Sequence, residues 1–147
     1  MDELSLHNGP LDVEALFSSW HESFKEKNFG AFITFVGIVR DEDGIDGLSF
    51  DIYKPILNSW FANWQQKANV QNATVLMAHS IGDVPLHKSS YVAAVLSPKR
   101  KVALALINDF VEDFKACAPI WKYDLRGAKR IYAGDRSTPL LGAGLLS

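Results

Sequence analysis

Five cations in one stretch of the chain stand where helix electrostatics alone would not put them. Residues 97–122 read SPKRKVALALINDFVEDFKACAPIWK, with Lys99, Arg100 and Lys101 at one end and Lys115 and Lys122 at the other. A helix N-terminus carries partial positive charge and favours acidic side chains. Three cations there repel one another unless an anion joins them, and free backbone N–H groups beside cations make a ready anion site. Taken singly, each is most simply a solvated helix-end side chain. The whole cluster, with Trp121 and Tyr123 flanking Lys122, points to a pocket for phosphate or carboxylate. Arg40 joins the candidates because it ends an apolar strand, where side chains leave the core for a cleft. A surface arginine paired with Asp41 or Asp43 is the alternative, and spacing does not choose between them.

A helix must hold most of these groups. Val102, Ala103, Leu106, Ile107, Phe110 and Phe114 recur at three- and four-residue steps and predict a long helix over about 98–116. Ser97 suits the N-cap, Pro98 the first helical position, and Pro119 the stop. Before it, Ser90–Leu96 is an apolar strand that leads straight into the helix. Leu11, Val13, Leu16, Phe17, Trp20 and Phe24 predict a helix within 11–27, and Ile56, Trp60, Phe61 and Trp64 predict another opened by Pro55. Ala31–Val39 reads as a buried strand, Leu48–Tyr53 and Thr74–His79 as strands, with a turn at residues 81–83. Residues 2–7 suit a short edge strand. After Pro119 an extended stretch to Leu125, a turn at Gly127 and a strand from Lys129 to Tyr132 follow, while the tail STPLLGAGLLS has no clear period. This order predicts an α+β fold of two layers with a mixed sheet.

The 147 residues suit a single domain spanning 1–147, with no internal repeat and no low-complexity linker. A net charge of -2 gives no bulk attraction to nucleic acid or anionic membrane, so any basic function is local. Cys117 is the one cysteine, which rules out an intrachain disulfide and a cysteine-rich metal site. It reads as a small core residue rather than a nucleophile. No two of His7, His21, His79 and His87 have metal-ligand spacing, so neither a metal nor a cofactor is expected. Glycine-rich nucleotide loops and the GxSxG elbow are missing. No apolar run nears the roughly 20 residues that span a bilayer, and the acidic start, Asp2 and Glu3, is unlike a signal peptide. A cytoplasmic protein is the expectation.

Four segments, in this order, carry a resemblance: GAFITFVGIVRD, HSIG, VLSPKRKVA and FKACAPIWK. Together they resemble the MoaE family, the large catalytic subunit of molybdopterin synthase, from about Gly30 to Tyr132. The resemblance implies a two-layer, hammerhead-like fold with a mixed, mainly antiparallel sheet. It implies a sulfurtransferase of molybdenum cofactor biosynthesis that converts cyclic pyranopterin monophosphate to molybdopterin. The sulfur would come from the C-terminal thiocarboxylate of a small ubiquitin-like subunit, MoaD, whose tail enters a pocket of the large subunit. A homodimer within a heterotetramer is implied as well. Position by position, Lys122 and Lys115 match the family's catalytic lysines. Arg40, Arg100 and, more loosely, Arg136 match its substrate-side arginines. Lys99 stands where histidine is usual and joins Arg40 and Arg100 as a phosphate ligand by charge alone. Ser80 replaces a common arginine, and Tyr123 a basic or polar residue.

The chemistry fits such cations. A cyclic phosphate and a thiocarboxylate are both anionic, so their repulsion must be screened, and charge developing on a departing phosphate oxygen must be stabilised. Two rivals use the same residue types. One is a non-catalytic module that binds a carboxylate tail or a phosphorylated metabolite. The other is an RNA-binding domain that uses Trp121, Tyr123, Arg126, Lys129 and Arg130 for stacking and phosphate contacts, against which the net charge argues.

Overall fold

Residues 74–97 hold two apolar strands that alternate strictly between two cores. Val75, Met77, Tyr91, Ala93 and Val95 enter one core, while Leu76, Ala78, Val92, Ala94 and Leu96 enter another. Successive strand side chains point to opposite faces, so this pair must be covered on both sides. The computed structural model, which describes residues 3–133, provides the covers. Its order is β1 (Leu4–Asn8), α1 (Val13–Phe24), β2 (Ala31–Ile38), β3 (Gly47–Ile52), α2 (Lys54–Val70), β4 (Thr74–Pro85), β5 (Ser89–Ser97), α3 (Arg100–Cys117), β6 (Ile120–Arg126) and β7 (Lys129–Tyr132). The fold is α+β. The sheet runs β2-β5-β4-β3-β6-β7, with β1 parallel to β4 and the other pairs antiparallel.

Helices α2 and α3 pack Leu57, Phe61, Trp64, Ala103, Leu106 and Phe110 on the first face. Helix α1 buries Trp20 on the second and so adds a local third layer to the expected two. Asp12 caps α1, its Oδ1 accepting from the Ala15 N–H at 3.1 Å. One carboxylate oxygen ties α2 to α3: the Trp60 and Trp64 indole N–H groups donate to Asp113 Oδ2 at 2.9 and 2.7 Å. This fixes how α3 sits over the sheet just before Phe114 and Lys115.

Several boundaries differ from those read in the sequence, each for a physical reason. Among the described residues β2 is an edge strand bonded only to β5, and it is half-buried rather than buried. β4 continues through residues 81–83, because Gly82 takes φ +81 and lets the strand pass from β1 to β3 as partner. Helix α3 begins at Arg100, two residues later than expected. Ser97 stays paired with Ala31 as the last residue of β5, its hydroxyl donates to the Lys99 carbonyl, and Lys99 takes the N-cap in extended backbone. The tail from residue 137 and Arg136 lie outside the described residues.

Candidate active site

Between the C-terminal turn of α3 and the sheet lies a cavity of about 300 Å³. Its floor comes from strand alternation. Leu48 and Phe50 of β3, and Ile120 and Lys122 of β6, share one face, and Phe50 pairs directly with Lys122. The opposite phase turns Trp121 away into the core at 7% exposure. Pro119 is buried at the link between α3 and β6, and its carbonyl accepts from the Tyr53 N–H at 3.1 Å. That corner brings Lys115 of α3 and Lys122 of β6 to the same cavity, seven positions apart in sequence but on different elements.

The rest of the wall is mostly aromatic and apolar, with Ser90, His79 and Glu112 as its polar members. Phe114 stacks on Tyr91 at 4.2 Å, and His79 meets Phe50 edge-to-face at 4.9 Å. Phe35 and Ile38 of β2 form an exposed rim, at 40% and 58% exposure. A bulge after Gly37 places Phe35, Gly37 and Ile38 together on the cavity, and Gly37 is needed because a Cβ there would lie 3.2 Å from Tyr91 Cβ. The FxGxVR segment therefore serves the site through its phenylalanine and glycine.

Electrostatically the cavity sets two cations, Lys115 and Lys122, and one acidic side chain, Glu112, among otherwise neutral walls. Burial pushes the His79 pKa down to about 4, against a smaller upward pull from its bond to the Ser80 carbonyl. His79 is thus neutral near pH 7; its Nδ1–H donates to that carbonyl at 2.8 Å, which leaves Nε2 as an acceptor. Burial also raises the Tyr91 phenol pKa. Outside the cavity, burial alone would raise the Asp113 pKa. Hydrogen bonds from Trp64, Cys117 and Trp60 and the charge of Lys67 outweigh it and hold the carboxyl below its usual range. The same hydrogen bond to Asp113, with burial and the carboxylate charge, raises the Cys117 thiol pKa, which disfavours the thiolate.

The remaining sequence candidates lie elsewhere in the protomer. Arg40 is 79% exposed along its side chain and donates to Glu42 Oε2 at 2.9 Å, not to Asp41 or Asp43. Lys99 and Arg100 are exposed at the start of α3. The 15 residues from Arg100 to Lys115 span about 22 Å of helix. One protomer therefore joins Lys115 with Lys122, sets Lys99 and Arg100 a helix length away, and leaves Arg40, two residues beyond the rim at Ile38, off the cavity lining. The RNA-type surface does not assemble either. Trp121 is buried, and the Arg130 guanidinium lies 4.1 Å over Tyr123 while bonded to Asp51 and Ser49. Among the described residues, no group of three or more His, Cys, Asp or Glu side chains is placed to hold a metal ion.

Sequence reasoning did not single out His79, Tyr91, Phe114 or Phe35 as site residues. Phe114 was legible only as part of the helix stripe. His79 and Phe35 stood inside the HSIG and FxGxVR segments, a signal that goes beyond core packing.

The family model for the MoaE protein matches residues 6–117. The chain belongs to that family. It is 51% identical to the molybdopterin synthase catalytic subunit of Helicobacter pylori strain ATCC 700392 / 26695, over 98% of this chain and 99% of that one. Among solved structures it is similar to a complex of subunits 1 and 2 of the molybdopterin-converting factor from Helicobacter pylori 26695. There the TM-score is 0.92 at 51% identity, covering 99% of this chain and 100% of that one. Its fold also matches that of molybdopterin synthase from Staphylococcus aureus, with a TM-score of 0.77 at 24% identity over 91% of this chain and 98% of the other. The family match ends at Cys117, so Lys122 lies beyond it but within the near full-length similarity to the Helicobacter relative.

Proposed function

We propose that this chain is the catalytic subunit of a molybdopterin synthase, transferring sulfur from the C-terminal thiocarboxylate of a small subunit to cyclic pyranopterin monophosphate. The observation that carries the reading is the meeting of Lys115 and Lys122 in one largely apolar cavity on a chain of this family. An apolar wall raises the strength of each cation's field on an anion brought beside it. Lys122, held on β6 between β3 and β7, is the closer group to the reacting carbons and the thiocarboxylate; Lys115 supports it. The partner is supported by the Helicobacter relative, whose structure is a two-subunit complex.

Arg40, Lys99, Arg100 and Arg136 are proposed to hold the substrate phosphate. The 22 Å length of α3 separates Lys99 and Arg100 from the lysines in one protomer, so these two act on the cavity of a second copy in a homodimer, as the resemblance implies for Arg136. Arginine grips phosphate oxygens bidentately, while lysine acts as a point charge. A single free cysteine and the absence of a membrane-length apolar helix among the described residues suit a cytoplasmic setting.

The test mixes the purified chain with thiocarboxylated small subunit and cyclic pyranopterin monophosphate, and follows dithiolene formation. Molybdopterin is the expected product. Tight binding of the small subunit with no product would sink the enzyme and leave a binding module.

A further inference from the structure

Tyr91 lines the lysine cavity, yet its hydroxyl serves nothing around it. The residue sits on β5 between His79 of β4 and Gly37 of β2. Its ring packs on Phe114 at 4.2 Å, His79 at 5.7 Å and Phe35 at 5.8 Å, and the residue is 6% exposed. Its Oη is buried with no hydrogen-bond partner among the described residues. Packing alone would be met by phenylalanine, since the ring's neighbours are other rings. A hydroxyl left unpaired in such a place costs stability, and native structures rarely keep one without a use. Burial keeps the phenol protonated, so it is an O–H donor rather than a phenolate.

We propose that the Tyr91 hydroxyl is a binding contact for the acyl end of the small subunit's C-terminal tail, donating a hydrogen bond to its carboxylate or thiocarboxylate oxygen. This rests on the function proposed above and adds a neutral donor to the two lysines. The size of the cavity favours a tail over the pterin. At about 300 Å³ it stands at the lower limit of small-molecule sites and suits a slender peptide end better than a fused, phosphorylated ring system. The rim points the same way: exposed Phe35 and Ile38 on β2, an edge strand among the described residues, offer apolar contact to a protein partner. Inside, an acyl end meets Lys115 and Lys122, offset by Glu112, with the buried Tyr91 hydroxyl as a neutral donor.

The experiment is a double-mutant cycle by titration calorimetry. Wild type and Tyr91→Phe are each titrated with the small subunit carrying an ordinary C-terminal carboxylate, and with the same subunit lacking its last two residues. Tyr91→Phe is expected to weaken binding of the intact subunit about tenfold and of the shortened one less than about twofold. The Tm of the free variant should equal or exceed that of wild type, because an unpaired buried hydroxyl is removed. Unchanged affinity for the intact tail, or equal losses for both subunits, overturns the proposal. If wild type does not bind the intact subunit, the proposed function falls and this contact with it. If wild type binds and shortening the tail weakens it, but Tyr91→Phe behaves as wild type, only this contact falls.

Discussion

At its C-terminal end α3 delivers Lys115 to a cavity walled by Phe50, His79, Tyr91 and Phe114, where Lys122 meets it. At its other end, about 22 Å away, Lys99, Arg100 and Lys101 stand exposed. The charges are of one kind and the surroundings differ. At the first group Lys115 is exposed and Lys122 half-buried, yet a ligand beside them also meets apolar wall, which lowers the local dielectric and weakens the screening. At the second, solvent and salt screen each cation, which matters to a ligand only if several act together or a second protomer encloses them. Charge count in a sequence therefore says less about chemistry than what lies within a few ångströms of each charge.

The largest expected effect tests the cavity end. Lys122→Ala should lower the rate of sulfur transfer by at least about 100-fold, the scale of losing one positioned stabilising group. Circular dichroism and small-subunit affinity should stay close to wild type. Near-normal product formation would remove the difference between the two ends.

A smaller effect tests the neutral wall. The folded-state pKa of His79 is about 4 against 6.5 for the free side chain, so between those values the unfolded chain binds more protons. Its contribution is therefore fully present above pH 6.5 and is lost as pH falls through that window to about 4. From pH 7 to pH 5 urea unfolding should show a loss of about 2 kcal/mol from this residue. His79→Gln should flatten that part of the profile; an unchanged slope would mean that the imidazole is not held neutral in the fold.

The exposed end gives the smallest effect. Arg100→Ala should raise KM for the cyclic pterin about tenfold with kcat changed far less, and Tm should hardly move because surface cations contribute little to stability. The KM effect should shrink with added salt. A large fall in kcat instead would place Arg100 beside the reacting atoms and collapse the comparison.

Much of the scaffold was legible from residue pattern. The stripe from Val102 to Phe114 gave α3, and the apolar run at 90–96 gave β5, because burial on one face or on two leaves a period in the sequence. The edge position of β2 was not legible. A run such as FITFVGIV looks the same whether one neighbour strand or two lie beside it. The continuity of β4 was hidden because a glycine that permits a turn also permits a bent strand.

The sequence by itself determined which side chains carry charge, where the helices and most strands run, and, through FxGxVR and APIWK, the family. It did not determine which cations share a space. Lys115 and Lys122 meet because a buried proline corner turns the chain from α3 into β6 and strand alternation points Lys122 inward. Arg40 is spent on Glu42, and Arg100 is held off by the length of its own helix. His79 and Tyr91 became site residues only through packing. Proximity between distant residues is a property of the folded chain, set by how faces are buried, and no local spacing encodes it.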